Sequence, residues 1–285
     1  MRKYIKLFRI KHYLKNFIIF IPAFFGEELF VLNSLYKLII SFVAFSLISS
    51  FVYIFNDIMD YKQDRLHEIK KMRPIASGEI SRQKAGVIAV AILFMAFYLI
   101  FMIGAFKALI YAVLYVIINI LYSLGLKNIP IIDILILASG FVIRLLFGAA
   151  VGNIICSSWL ILTIMAISLY LGLGKRRNEL SKVKSCDTRA VLKKYSVQYL
   201  DVMMRMCMTI GVVFYSLWTV DIGGSSQNNY FIWTIPIVIS IIMKYELDIE
   251  KNSFGDPIEV IYKDKILIIQ GLVYAFIIFV GKYVI

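Results

Sequence analysis

A run of carboxylates and a carboxamide follows directly on a long apolar stretch, and these are the residues best suited to chemistry. Asn56, Asp57, Asp60 and Asp64 are spaced so that two overlapping sets of three lie along one helical face. Like charges at those spacings repel, and such a cluster at the end of a membrane helix is costly unless something binds it. Because Mg²⁺ prefers oxygen ligands, we predict a metal site among these four side chains, and the spacing leaves open which aspartates contact the ion.

Basic residues come immediately after the carboxylates. Arg65, Lys70 and Arg73 lie within the next turns, where Pro74 and Gly78 predict a shaped loop. Lysine and arginine suit phosphate, so we expect these side chains to bind phosphate groups. The alternative is that the positive charge only sets membrane topology. Together, the acidic and basic runs predict metal-bridged phosphate chemistry at a membrane surface.

The composition indicates a polytopic membrane protein. The 285 residues are 61% hydrophobic, with a mean hydropathy of +0.82, well above a soluble domain. Apolar segments near the ~20 residues that span a bilayer cover 16–33, 36–57, 84–104, 107–124, 130–151, 156–174, 202–221, 229–244 and 264–283. The first is the weakest, because Pro22 and Gly26 interrupt it. We therefore predict an all-α integral membrane protein with about nine transmembrane helices in a single polytopic domain, residues 1–285.

The charge distribution predicts the orientation. A net charge of +13 would suggest nucleic acid for a soluble protein, but 27 of the 31 lysines and arginines fall in the N-terminus and alternate loops. The positive-inside rule then places the N-terminus and these loops in the cytoplasm and the C-terminus outside, in the cytoplasmic (inner) membrane. No nucleic-acid partner is expected. The three cysteines have no paired spacing, which argues against a disulfide framework and a zinc site.

A second basic cluster follows the sixth apolar segment. Lys175, Arg176 and Arg177 precede Glu179, and Tyr195 lies further along the same cytoplasmic loop. We expect the cluster to form a second phosphate-binding element. Orientation of the helix or contact with anionic membrane lipid is the alternative.

Arg144 lies well inside the fifth apolar segment. Asp133, eleven residues earlier, falls on the same stripe of the helix. An arginine within the membrane is a candidate functional residue by default. A structural bond from its guanidinium to backbone carbonyl oxygens is an equal alternative.

Four stretches resemble one known family. Residues 56–65 and 73–78 are similar to the first aspartate motif of the UbiA-type intramembrane prenyltransferase superfamily. The stretches 122–127 and 140–144 resemble the family's segments around the fourth and fifth helices. The resemblance implies a UbiA-like helix bundle whose cytoplasmic loops cap the active site, with Asp57, Asp60 and Asp64 as catalytic residues.

One departure narrows the resemblance. Typical members carry a second aspartate-rich motif after helix six, whereas this chain has the basic cluster and Glu179 there. This is similar to the subgroup of decaprenyl-phosphate phosphoribosyltransferases, as are Lys15-Asn16 and the 255–264 segment with Asp256, Glu259 and Asp264. Members of that subgroup transfer 5-phosphoribose from phosphoribosyl diphosphate to a polyprenyl phosphate, with inversion at C1. The resemblance thus implies a cell-envelope precursor step.

The implied cofactor is Mg²⁺, which Mn²⁺ could replace. The implied partners are phosphoribosyl diphosphate, a polyprenyl phosphate and membrane lipids, and an oligomer is compatible with the sequence. The predicted substrate-binding residues are Lys15, Asn16, Arg65, Lys70, Arg73, Tyr122, Lys127, Arg144, Lys175, Arg176, Arg177, Glu179 and Tyr195.

Two other functions compete with this interpretation. A prenyltransferase acting on an aromatic or other hydrophobic acceptor would need a second carboxylate cluster, for which Glu179 and Asp187 are poor candidates. A transporter would be expected to carry ionisable groups near the midplane on broken helices related by an inverted repeat. The acidic cluster is interfacial and the sequence shows no repeat, which disfavours transport.

Overall fold

The protein is all helical wherever its structure is described, which confirms the predicted fold class. The computed structural model describes residues 2–67, 69–181, 190–223, 230–251, 260 and 264–284, and those ranges contain no strand. The chain falls into two compact units, one of residues 1–136 with 140–156 and one of residues 137–139 with 157–285. That the chain forms one polytopic domain with a cytoplasmic N-terminus remains a prediction.

The first unit begins with short helices and continues with long ones. Its elements are α1 (Arg2–Phe8), a 3-10 helix (Ile10–Phe20), α2 (Ile21–Phe25), α3 (Leu32–Met59), α4 (Tyr61–Leu66), a 3-10 turn (Lys70–Met72), α5 (Arg82–Met102), α6 (Phe106–Leu124), a 3-10 turn (Leu126–Asn128) and α7 (Ile132–Gly152).

The second unit contains four long helices in its described part. Its elements are α8 (Ser158–Ser181), a 3-10 helix (Ala190–Lys194), α9 (Val197–Gly223), a 3-10 turn (Tyr230–Trp233), α10 (Thr234–Lys251) and α11 (Lys265–Tyr283). Asp264 caps α11, because its side chain accepts hydrogen bonds from the backbone N–H groups of Ile266 and Leu267.

Eight helices in the described part of the chain are long and apolar enough to cross a membrane. They correspond to the second through ninth predicted segments. The first predicted segment, 16–33, is not one long helix, because the 3-10 helix gives way to the five-residue α2. Pro22 stands in the first turn of α2, and Gly26 ends it.

Close packing in the first unit fixes α3, the helix that carries the acidic run. The Phe45 ring on α3 lies 4.9 Å from the rings of both Tyr115 and Phe147. Gly148 on α7 approaches the N-terminal segment so closely that a Cβ there would lie 2.0 Å from the Ile19 carbonyl oxygen. Only glycine permits that approach, and it lets α7 pack closely on the N-terminal segment.

The loop that follows α4 is ordered by its own backbone hydrogen bonds. Ser77 N–H donates to Arg73 O at 2.8 Å, and Ile80 N–H donates to Pro74 O at 3.0 Å. Gly78 has a φ of +83°, a conformation that favours glycine. The shaped loop predicted from Pro74 and Gly78 is confirmed, and it holds Arg73 beside the end of α3.

Candidate active site

One pair of the predicted metal-binding residues faces α6. Asn56 and Asp60 are one turn apart, and Asn56 Nδ2 donates to Asp60 Oδ2 at 3.1 Å. The other Asp60 oxygen accepts a hydrogen bond from the Lys127 ammonium, and Ser123 Oγ donates to Asn56 Oδ1 at 3.2 Å. The predicted residues Asn56, Asp60 and Lys127 therefore lie together, although Lys127 is 67 positions away in the sequence.

The other two aspartates face two arginines. Asp57 Oδ1 accepts from Arg9 Nη2 at 2.5 Å and from Arg73 Nη1 at 3.0 Å, and Asp64 Oδ2 accepts from the same Arg73 nitrogen at 2.6 Å. The Asp57 side chain is only 3% exposed, whereas the arginines are 20% and 24% exposed. The pairing makes this group of four charges neutral, which offsets the cost of burying the carboxylates.

Four other predicted residues also belong to the first unit. Arg65 Nε donates to Ala76 O at 3.1 Å, and its guanidinium lies 4.5 Å from the centre of the Tyr61 ring. Lys70 lies in the 3-10 turn, Tyr122 near the end of α6, and Lys15 in the N-terminal 3-10 helix; all three are half-buried.

Arg144 is bound inside the first unit by neutral groups. It is 4% exposed, and its nitrogens donate to Asn16 Oδ1 at 2.7 Å, Gly140 O at 2.6 Å and Tyr115 OH at 2.9 Å. Asn16 Nδ2 in turn donates to Ser46 Oγ at 2.9 Å. The bond to Gly140 is the backbone-carbonyl contact of the structural alternative, and the bond to Asn16 ties the N-terminal segment to α7.

The basic cluster of the second unit contacts carboxylates. Arg176 is fully buried, and its Nη1 donates to Glu179 at 2.7 Å. Arg177 Nε donates to Asp201 Oδ1 on α9 at 2.6 Å. Lys175 lies beside them and is half-buried. Arg176 and Arg177 are therefore each oriented by a carboxylate.

Further polar contacts lie near the same end of the second unit. Tyr170 OH donates to the Glu246 carboxylate, and Lys244 pairs with both Asp248 and Asp264. The hydrogen bond from Lys244 lowers the pKa of Asp264 to about 2, so Asp264 is ionised at neutral pH.

Tyr195 is buried in the second unit and stacks on Tyr199. Of the loop residues suggested by resemblance, Asp256 and Glu259 lie outside the described residues.

Sequence reasoning missed several of these partners. From the sequence, Arg9 counts only as one of the N-terminal positive charges, and Asp201 and Glu246 have no predicted role. Arg9 is 48 positions from Asp57, and Glu246 is 76 positions from Tyr170, so no local spacing links the pairs.

The donor set fits Mg²⁺ in its chemistry. Asn56 and Asp60 offer oxygens one turn apart, and Asp64 follows on the next turn. Among the described residues no three His, Cys, Asp or Glu side chains converge closely enough to hold an ion alone. Mg²⁺ commonly binds through one or two carboxylates and completes its octahedron with phosphate oxygens and water. Asn56 and Asp60 are therefore the residues that would hold it, whereas Asp64 faces Arg73.

Comparison with known proteins assigns the chain to a family. The UbiA prenyltransferase family matches residues 19–253. The chain belongs to the UbiA prenyltransferase family. It is therefore a membrane transferase, and the family resemblance of the aspartate motif is confirmed.

Several relatives of this chain carry the name of the subgroup that the basic cluster resembles. The decaprenyl-phosphate phosphoribosyltransferase of Corynebacterium glutamicum is 31% identical over 288 residues, covering 98% of this chain and 86% of the relative. The protein of that name from Mycolicibacterium smegmatis is 32% identical, covering 81% and 76%. A third, from Mycobacterium tuberculosis, is 31% identical, covering 87% and 82%. The similarity extends over most of each protein.

Solved structures confirm the UbiA fold. A UbiA homologue from Archaeoglobus fulgidus, bound to GPP and Mg²⁺, matches with a TM-score of 0.73 at 20% identity, covering 98% of both chains. The same homologue bound to DMAPP and Mg²⁺ matches with a TM-score of 0.72, covering 98% of this chain and 97% of the other.

Proposed function

We propose that this UbiA-family protein transfers 5-phosphoribose from phosphoribosyl diphosphate to a polyprenyl phosphate. The products would be a polyprenyl-phosphoryl-5-phosphoribose and diphosphate, and the lipid would serve as a cell-envelope precursor.

One observation carries the proposal: a cationic cluster, residues 175–177, stands where typical family members have a second aspartate motif. A prenyl diphosphate donor brings one polar group, which two metal-binding acidic motifs suffice to hold. Phosphoribosyl diphosphate brings an additional 5-phosphate, and the acceptor brings another phosphate. Lysine and arginine suit that added negative charge, and arginine can bind phosphate through two parallel hydrogen bonds. The relatives named decaprenyl-phosphate phosphoribosyltransferase support phosphoribosyl transfer to a lipid phosphate.

Cations at the end of α3 would bind the donor diphosphate. Arg73 and Lys127 each contact an aspartate of the acidic run, so both are held where a diphosphate would meet the metal-binding residues. Mg²⁺ held by Asn56 and Asp60 would supply charge neutralisation for the departing diphosphate. The Mg²⁺ in the solved A. fulgidus homologue supports a divalent ion here.

The chemistry requires little proton transfer. An oxygen of the lipid phosphate would bond to C1 of the ribose as the bond from C1 to the diphosphate oxygen breaks. The ribose should acquire oxocarbenium character as that bond weakens. Because the lipid phosphate is already an anion, no strong general base is needed. Asp64, which faces Arg73, is the candidate for orienting the ribose, and a direct displacement predicts inversion at C1.

Three other cations are candidates for the remaining phosphates. Lys175 and Arg177 in the second unit, with Lys15 in the N-terminal segment, are half-buried rather than enclosed. The positive-inside pattern supports a site that faces the cytoplasm, where a soluble sugar-phosphate donor is available. The polyprenyl chain would lie among the membrane helices.

A second candidate function is prenyl transfer to an aromatic or other hydrophobic acceptor. It is favoured by the fold shared with the A. fulgidus homologue, which was solved with GPP and with DMAPP.

One assay with two pairs of substrates distinguishes the two functions. Membranes containing the protein are supplied with phosphoribosyl diphosphate and polyprenyl phosphate, or with a prenyl diphosphate and an aromatic acceptor, each with Mg²⁺ or with a chelator. We expect Mg²⁺-dependent transfer in the first pair. Transfer only in the second pair would refute phosphoribosyl transfer.

A further inference from the structure

Two of the arginines at the end of α3 share a buried carboxylate, which sets Asp57 apart from the other aspartates. Asn56 and Asp60 face α6 and Lys127, whereas Asp57 faces Arg9 of the N-terminal segment and Arg73 of the loop after α4. A single oxygen, Asp57 Oδ1, accepts from both guanidinium groups. An oxygen that already accepts from two guanidinium groups is poorly placed to bind a metal ion as well, whereas each side-chain oxygen of Asn56 and Asp60 accepts from one described donor.

The guanidinium of Arg9 is held in a fixed orientation. Asp57 binds one Nη nitrogen at 2.5 Å, and the Tyr53 ring lies beneath the group, 4.7 Å from ring centre to Cζ. That hydrogen bond is the one Arg9 side-chain bond to any described part of the chain. The remaining N–H donors are thus available to a ligand, on a side chain that is 20% exposed.

The backbone at Arg9 adopts a conformation that arginine rarely takes. Its φ is 52° and its ψ is 48°, in the left-handed region, between the end of α1 and the start of the 3-10 helix. This conformation is unfavourable for a residue with a Cβ, which there approaches the following carbonyl oxygen. Strained residues of this kind persist where the surrounding structure fixes them, and they concentrate at functional sites. Here the contacts with Asp57 and Tyr53 fix it.

Arg73 is the second arginine that Asp57 orients. Its Nη1 donates to both Asp57 and Asp64, which leaves its other nitrogens without a bond to the described residues. Arg9 and Arg73 therefore converge on one buried oxygen and retain donors for an anion. Two pre-oriented guanidinium groups suit the adjacent phosphoryl groups of a diphosphate, which arginine binds with good geometry.

We propose that Arg9 is a further diphosphate-binding residue, and that Asp57 is a positioning residue that orients Arg9 and Arg73 rather than a metal ligand. Asp57 was predicted from sequence both as a metal ligand and as a catalytic residue, and this inference gives it a different role. It depends on the proposed function only in requiring a diphosphate donor, and it holds equally for a prenyl diphosphate.

Inorganic diphosphate is the probe, so that the test does not depend on the donor's identity. Its binding to the detergent-purified full chain is measured by calorimetry with Mg²⁺ present, for the wild type, Arg9→Gln, Asp57→Asn and the double variant. Removing a hydrogen bond between charged groups costs roughly 1.5–3 kcal/mol, so Arg9→Gln should weaken binding by about 10- to 100-fold. Lys11→Gln removes the same charge from the exposed neighbouring face and should change binding by less than about 2-fold.

Coupling and metal dependence test the role of Asp57. In the Asp57→Asn background, Arg9→Gln should weaken diphosphate binding by less than about 3-fold, because Arg9 is no longer held in place. Asp57→Asn should keep the Mg²⁺ concentration for half-maximal diphosphate binding within about 2-fold of wild type, whereas Asp60→Asn should raise it by about 10-fold or more. Equal effects of Arg9→Gln in both backgrounds, unchanged binding in Arg9→Gln, or a Mg²⁺ shift in Asp57→Asn like that of Asp60→Asn would each overturn the proposal.

A second variant, Arg9→Lys, tests the proposal if Arg9→Gln does not fold. Arg9→Lys keeps the charge but loses the guanidinium fork, and it should bind diphosphate at least about 5-fold more weakly while melting near the wild-type temperature. Full affinity in Arg9→Lys would also overturn the proposal. Failure of phosphoribosyl transfer with intact Arg9 coupling would instead refute only the proposed donor.

Discussion

The end of α3 and the end of α8 both combine arginines with carboxylates, but they do so differently. At α3 the partners come from distant segments, with Lys127 reaching Asp60 across 67 positions and Arg9 reaching Asp57 across 48. At α8 the buried Arg176 pairs with Glu179, three residues away on the same helix, and Arg177 pairs with Asp201 on α9, 24 positions away. We propose that the α3 arrangement serves metal binding and that the cations at α8 serve phosphate binding.

The largest effect should follow loss of an acidic group at α3. We expect Asp60→Asn to lower the transfer rate by at least about 100-fold, because even outer groups around a metal typically contribute 10- to 100-fold. The measurement is initial rate at saturating Mg²⁺ in membranes with matched protein content. Glu79→Gln, which neutralises an exposed carboxylate in the following loop, is the control and should retain activity. Wild-type activity in Asp60→Asn would show that the metal does not bind at the end of α3.

Close packing of α7 on the N-terminal segment should give the next largest effect. Gly148→Ala would place a Cβ 2.0 Å from the Ile19 carbonyl oxygen, so the N-terminal segment must shift. Overpacking of this kind costs about 1–3 kcal/mol, which should lower the melting temperature in detergent. The control is Gly86→Ala on α5, where a Cβ meets nothing within 4 Å. That change should be neutral or stabilising by up to ~1 kcal/mol. Equal melting temperatures for the two variants would contradict the close approach.

Removing the carboxylate at the end of α8 should affect stability more than metal dependence. Glu179→Gln removes the charge that accepts a hydrogen bond from the buried Arg176, and because Glu179 is partly exposed we expect the free energy of unfolding to fall by only about 1–2 kcal/mol. The Mg²⁺ concentration for half-maximal activity should not change. A shift in that concentration comparable to that of Asp60→Asn would show that Glu179 belongs to a second acidic motif, and the contrast between the two regions would fail.

The smallest effect should come from a single cation at α8. If Lys175 binds a donor phosphate, Lys175→Gln should raise the KM for phosphoribosyl diphosphate by about 3- to 10-fold, as expected for one partly exposed charge-assisted contact. The KM for the polyprenyl phosphate should change less. Equal increases in both constants would point to a general electrostatic effect, for which Lys194→Gln, an exposed cation in the next 3-10 helix, is the matched control.

Local features of the fold were predictable from the sequence. Apolar length identified the helices that follow residue 31, and Pro74 with Gly78 identified a loop that the backbone hydrogen bonds confirm. The acidic run was visible because its spacing matches the helix period. Pro22 and Gly26 marked the first segment as weak, but periodicity alone did not show that the chain there forms short helices.

Contacts between side chains that are far apart in the sequence were not predictable. Arg144 lies 128 positions from Asn16, and only the packing of the N-terminal segment against α7 makes them partners. Asp133, which the helical stripe suggested as the neighbour of Arg144, does not share its hydrogen bonds in the described structure. The full burial of Arg176 likewise depends on tertiary packing, which the amino-acid composition of a predicted cytoplasmic loop does not reveal.

Identification of the lipid product by mass spectrometry tests the central claim most directly. The purified protein is reconstituted in lipid with Mg²⁺, polyprenyl phosphate, phosphoribosyl diphosphate, a prenyl diphosphate and an aromatic acceptor together, beside Asp60→Asn. We predict that the polyprenyl phosphate gains one phosphoribosyl group, that diphosphate is released in equal amount, and that Asp60→Asn forms neither. A prenylated acceptor with unmodified polyprenyl phosphate would contradict phosphoribosyl transfer.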